Sequence, residues 1–291
     1  MRLKIDTRRF RVPPHTRLKL SRHEPADTFP YQSSRGARAL LEKASRRLFG
    51  LTELLYAQNR WAVLLIFQAM DGAGKDSAVK HVLRGLDPKA TQVSAFGRPS
   101  AGELNHDYMW RCLKALPERG RIGIFNRSYY EEVLVARVHP EILASQHLPS
   151  RRVTKSIWRD RFEDIRHIER YLCRNGIVIC KFFLNVSKGE QRRRFLERLQ
   201  DPAKKWKFSV NDVNERLRWK EYMAAYTEAI SATSSRHAPW YVVPADNKWY
   251  TRLAIAQIVI ETLGALDLRV PELSRRDHRA LKDAKRRLRA K

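Results

Sequence analysis

The residues Ala69-Met70-Asp71-Gly72-Ala73-Gly74-Lys75-Asp76 carry the strongest chemical signal in this chain. Gly72 and Gly74 allow a tight turn whose successive N–H groups can cradle phosphate oxygens, and Lys75 can reach the outer phosphates. The pattern departs from the usual phosphate-binding loop twice. Ala69 occupies the first glycine position, and Asp76 replaces the Ser/Thr whose hydroxyl meets magnesium. Asp71 puts a second carboxylate inside the loop. Carboxylates repel bare phosphate, so this set makes sense with a cation between. Mg2+ is the natural choice, because it is held by few carboxylates plus substrate phosphates. Asp71 would hold the metal and also orient the attacking oxygen, or else be satisfied by its own backbone. Asp76 reads either as a metal contact or as a first-turn acid favoured by the helix dipole.

A second segment, Phe125-Asn126-Arg127-Ser128-Tyr129-Tyr130-Glu131-Glu132, ends another apolar run. Asn126 can hydrogen-bond but brings no charge. Glu131 would restore a carboxylate near metal or acceptor. Arg127 has the rigid fork that suits phosphate, with a structural salt bridge as the plainer reading. Glu132 reads as a surface or structural acid. Further on, Arg192, Arg193, Arg194 and Arg198 lie in one basic segment, followed by Lys204, Lys205, Trp206 and Lys207. Adjacent arginines cannot share a helix face, so only some can meet substrate. The basic stretch between two helices predicts a lid over phosphates, set against a simply solvated charged face. The tryptophans 206, 219, 240 and 249 sit in patterns that predict core or lid packing rather than base stacking.

These residues need a scaffold, and the hydrophobic pattern supplies one. Apolar strands are predicted at 61–67, 90–96, 120–125, 177–184 and 240–243. Helices are predicted at 36–59, 76–86, 101–116, 129–138, 155–174, 188–200, 211–233 and 248–266. Alternation of this kind gives an α/β fold with a largely parallel sheet. Ligands then bind at the carboxyl ends of the strands, where Asp71, Lys75, Arg98, Asn126, Arg127 and Asn185 fall.

The chain has 291 residues and a formal charge of +27, from 58 Lys+Arg against 31 Asp+Glu. That length supports one large domain, and that charge predicts a polyanionic partner. Cys112, Cys173 and Cys180 lack metal or redox spacing, which fits a reducing, cytoplasmic setting. No apolar stretch is long enough for a membrane span. Residues 1–35 read as a basic arm, either disordered or laid over the domain or a neighbouring subunit. Residues 36–268 form the core, with a lid at about 200–222, and 269–291 form a basic tail with helical periodicity.

Across 35–268 the chain resembles the polyphosphate kinase 2 family. The likeness runs from Phe67 to Asp76, through Val79-Lys80-His81-Val82, His106 to Arg111, Ile124 to Glu131, Phe182 to Lys188 and Trp206-Lys207-Phe208-Ser209, to Ala238–Asp246. The resemblance implies a three-layer α/β/α P-loop fold like that of thymidylate kinase, with a helical lid. It implies Mg2+-dependent, reversible phosphoryl transfer between inorganic polyphosphate and nucleotides, in a dimer or tetramer. Asp71 then resembles the essential loop carboxylate and metal ligand, Lys75 the phosphate-binding lysine and Arg127 a phosphate-contacting arginine. Gly72, Ala73, Gly74, Lys75, Asp76, Lys80, Arg127, Arg193 and Arg194 are the candidate polyphosphate contacts. Arg98, Asn126, Glu131, Lys207 and Arg218 are the nucleotide or lid candidates. Asn126 with Glu131 resembles the subgroup that phosphorylates both AMP and ADP, giving ADP and ATP. Two other readings stay open: a nucleotide kinase using ATP as donor, and a nucleic-acid-binding protein on the same scaffold, whose basic ends would bind without sequence specificity.

Overall fold

The structure, a computed structural model, describes residues 3–290. Its sheet is built from β1 (Ala62–Ala69), β2 (Thr91–Ala95), β3 (Ile122–Asn126), β4 (Ile177–Asn185) and β5 (Trp240–Pro244), in the order β2-β3-β1-β4-β5. Every pairing is parallel. The central β1 is a continuous apolar run with residues 62–68 buried, as a strand covered on both faces requires. Register pairs Phe67 with both Asn126 and Phe182, so β1, β3 and β4 release their following loops at one edge.

The helices are α1 (Ala37–Gln58), α2 (Lys75–Leu83), α3 (Ala101–Leu104), α4 (Trp110–Lys114), α5 (Glu131–Val138), α6 (Pro140–Ala144), α7 (Ile157–Arg174), α8 (Lys188–Gln200), α9 (Val210–Leu217), α10 (Trp219–Thr233), α11 (Lys248–Gly264) and α12 (Arg275–Arg289). Helices α1, α2 and α11 pack together, as do α5, α7 and α10, which gives three layers. Helix α11 is apolar nearly all round and is buried accordingly.

Three local expectations change. The segment 101–116 is two short helices: Ser100 caps α3 in a capping box, and Asp107 Oδ1 accepts Met109 N–H at 2.9 Å to start a new turn. The segment 211–233 breaks at Arg218, whose N–H closes onto Glu215 O and Arg216 O. Helix α6 was not expected; Pro140 opens it at its first position.

The described part of the N-terminal arm lies on its own domain. Leu3, Ile5, Phe10, Val12 and Leu18 are buried. Arg11 bridges antiparallel to Tyr241, with Val12 N–H on Trp240 O (2.9 Å) and Val242 N–H on Phe10 O (2.8 Å). Of the tail, α12 is exposed along its length except for half-exposed Asp283. Arg2 of the arm and Lys291 of the tail lie outside the described residues.

Candidate active site

The loop after β1 is shaped by its glycines and held from behind by α8. Gly72 has φ +77° and Gly74 φ +95°, both left-handed. A Cβ on Gly72 would come within 2.8 Å of Phe195 Cε1, so α8 packs where only glycine leaves room. Gln191 Nε2 donates to Asp71 O at 2.7 Å. Arg194 Nη1 donates to Gly72 O (3.0 Å) and Ala73 O (2.8 Å), and its Nη2 to Ala245 O (2.7 Å) and Asp246 O (2.9 Å). Carbonyls drawn toward α8 leave the amides of Gly72, Gly74, Lys75 and Asp76 without an acceptor among the described residues. That is the arrangement an anion needs at a helix N-terminus.

Beside this cradle the end of β3 delivers a second cation. Arg127 has φ +66°, and its N–H donates to Phe67 O at 3.1 Å. Its Nη2 lies 3.3 Å from Asp71 Oδ1, and its Nη1 3.7 Å from Glu131 Oε2. Glu131 opens α5, so one turn of chain brings fork and carboxylate together. The charges perturb one another. The Glu131 carboxylate, ahead of Asp71, raises the Arg127 pKa. Burial raises the Glu131 pKa against the pull of Arg127 and Lys75. Burial and the Arg127 charge lower the Lys75 pKa, while Glu131, Asp71 and Asp76 oppose them. Asn126 Nδ2 donates to Asp76 Oδ1 at 2.9 Å, leaving its own Oδ1 buried and unpartnered.

The structure thus brings Asp71, Lys75, Arg127 and Glu131 together, with Asn126 and Asp76 on the rim. Other candidates fall elsewhere. Arg194 was expected to bind phosphate, but its remaining donor, Nε, is on Glu190 at 2.7 Å and all five N–H groups are engaged. Arg193, expected in the same role, is turned to Glu190 and Glu197 on the exposed side of α8. Lys80 is exposed on α2, more than a turn beyond Lys75. Arg98 is exposed past β2, and Arg218 turns one arm of its fork, Nη1, to Val138 O, 3.8 Å from Glu221 Oε2. Asn185 holds the arm, donating to His23 O at 2.7 Å. Trp206, expected to pack, is 77% exposed. The side chain of Lys207 lies outside the described residues.

Residues that the sequence reading passed over complete the surroundings. Asp212 on α9 is near enough to Asp71 that this charge, after burial, raises its pKa. Glu215 receives His139 Nε2 at 2.8 Å and Tyr222 O–H at 2.5 Å, tying α9 to the α5–α6 corner. Gln191, Arg194 and Phe195 recur at i, i+3 and i+4, a one-face pattern legible in α8. A cavity of about 800 Å3 opens between the arm and α10, past the end of β4. It is lined by Arg17, Asn185, Lys188 and Trp219, and by none of the loop residues.

The profile of the polyphosphate kinase 2 (PPK2) family matches residues 31–270. The chain belongs to the polyphosphate kinase 2 family. It is 50% identical over 272 residues to the ADP-polyphosphate phosphotransferase of Rhodopseudomonas palustris, covering 93% of this chain and 94% of that one. It is 41% identical to the AMP/ADP-polyphosphate phosphotransferase of Meiothermus ruber, covering 91% and 96%. The crystal structure of polyphosphate kinase 2 from Arthrobacter aurescens superposes with a TM-score of 0.85 at 38% identity, over 94% and 95% of the two chains. As a polyphosphate kinase 2, the chain is a phosphotransferase that uses polyphosphate, and its three-layer fold with a parallel sheet is the family's. Among the described residues no helix is long and apolar enough to cross a membrane.

Proposed function

We propose that the enzyme transfers the terminal phosphoryl group of inorganic polyphosphate to both AMP and ADP, reversibly, forming ADP and ATP. The observation that carries this reading is the cradle of amides of Gly72, Gly74, Lys75 and Asp76, without an acceptor among the described residues, flanked by Lys75 and Arg127 and faced by Asp71 and Glu131. A terminal phosphate oxygen of the nucleotide attacks the terminal phosphorus of the chain, and the bridging P–O bond breaks. The polyphosphate leaves one unit shorter. Lys75, the loop amides and Arg127 hold the transferring group and stabilise its charge. A nucleotide phosphate is already ionised near neutrality, so Asp71 and Glu131 act by position rather than as strong bases.

The residues fit a hard cation. Asp71, Asp76 and Glu131 offer carboxylate oxygens around the loop, and Asn126 Oδ1 is a buried acceptor without a partner. Three protein ligands do not converge among the described residues. Magnesium shared with substrate phosphates needs only one or two carboxylates, and Asp71 is the first of them. Bound magnesium would supply charge neutralisation between the phosphates and these acids.

Acceptance of both nucleotides rests on an uncharged Asn126 occurring together with Glu131 in the sequence and on the likeness to the Meiothermus enzyme. The relative from Rhodopseudomonas is named for ADP alone, so the acceptor is the point to test. Purified protein, Mg2+ and long-chain polyphosphate are incubated with AMP and ADP separately. ADP and then ATP from AMP is the expected result; ATP from ADP with none from AMP would overturn the dual assignment. The same reading takes residues 200–222 as a lid and the assembly as a dimer or tetramer, measured by light scattering. It takes the location as cytoplasmic, in keeping with three free thiols, and nucleic-acid binding as weak and non-specific.

A further inference from the structure

Helix α12 lies beyond the family match, which ends at residue 270, and beyond everything the active site uses. It is nonetheless a built element. Ser274 and Asp277 form a capping box at its start, and basic residues crowd its last turn, where the dipole favours them. It carries eight Lys/Arg against two Asp. Arg275, Arg279, Lys282, Arg286 and Arg289 recur at alternating intervals of four and three residues. They form one stripe about 21 Å long at the rise of an α-helix. The Asp283 pairs to Arg286 and Arg287 are exposed, hence weak and replaceable.

We propose that this stripe is a second polyphosphate site, a tethered arm that holds the distal part of a long donor chain while its end reacts at Lys75. The inference rests on the donor being polyphosphate. Its ground is charge complementarity. A bare row of cations recognises a polymer that presents charge and nothing else. Helix α12 has no Phe, Tyr or Trp and a single histidine, His278, and so lacks the row of stacking platforms of single-strand nucleic-acid binders. Its opposite stripe of Ala280, Leu281, Ala284 and Leu288 has only two large apolar side chains, little to anchor in a lipid interface. A chain gripped at two places gains effective concentration at the catalytic end, whereas one too short to span both gains nothing.

The test compares the full chain, a chain ending at Val270, and a variant with Arg275, Arg279, Lys282, Arg286 and Arg289 each changed to Gln, which keeps helix propensity. KM and kcat are measured with long-chain polyphosphate and with tetrapolyphosphate. Both variants should raise KM for the long chain about 10-fold or more at unchanged kcat, and leave tetrapolyphosphate kinetics as they were. The slope of log KM against log salt should fall by about 3.5 for the five-residue variant, at roughly 0.7 per lost contact to a single-stranded polyanion. An unchanged long-chain KM would overturn the proposal, as would an equal rise for both substrates. Tail-dependent sedimentation with phosphatidylserine vesicles, or tail-dependent binding to single-stranded DNA, at unchanged KM would assign the stripe to that surface instead. Absence of polyphosphate activity in the full chain would sink the donor assignment itself, which is a different failure.

Discussion

At the scale of single residues, the phosphate loop is held by what its side chains leave out. Gly72 needs a left-handed backbone and the space against Phe195. Gly72→Ala should therefore cost on the order of 3 kcal/mol, combining backbone strain and overpacking, and a urea denaturation series reads it directly. Asp71→Asn should abolish turnover while polyphosphate binding, followed by calorimetry, stays nearly intact; a variant with most of its kcat would contradict the metal-positioning role. The pH profile follows from two opposed shifts. Burial lifts Glu131 above its ordinary 4.5, so acid neutralises the partner of Arg127 earlier than for a free carboxylate. Burial with the Arg127 charge lowers Lys75 below 10.5, so alkali removes its charge earlier than for a free amine. Activity should thus fall off at both ends inside those two values, and Lys75→Arg should move the alkaline limb upward while leaving the acid limb in place.

At the scale of elements, the sequence does not settle which arginine of α8 faces the loop, and the reason is physical. Three consecutive arginines point about 100° apart on a helix, and which of them faces the loop depends on how α8 docks. Arg194 is the one turned inward, and there it grips carbonyls instead of phosphate. Arg194→Lys keeps the charge but loses the fork. It should lower kcat well over 10-fold with a smaller change in KM, because the loop amides lose their aim. Steady-state kinetics beside an unchanged circular dichroism spectrum would check this. Helix α9 has a comparable fastening in Glu215, held by His139 and Tyr222. The break at Arg218 that separates α9 from α10 had no glycine or proline to announce it. By contrast, β1, its loop and the start of α2 were legible, because a buried apolar run followed by glycines and a lysine leaves few alternatives.

At the scale of the whole molecule, the two basic ends look alike in composition and differ in structure. Leu3, Ile5, Phe10 and Val12 are the signal that separates them, apolar residues alternating within a charged arm. Phe10 is buried edge-on to Tyr250, with ring centroids 6.3 Å apart. Phe10→Ala should cost about 3 kcal/mol of stability, whereas removal of residues 271–291 should leave the melting temperature unchanged. Differential scanning calorimetry of the two variants tests both statements. The alternating order of strands and helices made the layered sheet legible, but the arm's docking depends on contacts more than two hundred residues away in sequence.

That docking also settles how the sheet ends. Residues 10–12 pair with the outer side of β5 and close it. At the other margin β2 pairs only with β3, and Val93 on it is 48% exposed. The sheet is therefore one-ended. Among the described residues β2 is the margin with no second partner, and an incoming strand would pair there. Two copies that shared a continuous sheet would meet β2 to β2 across a twofold axis, with an antiparallel seam in an otherwise parallel array.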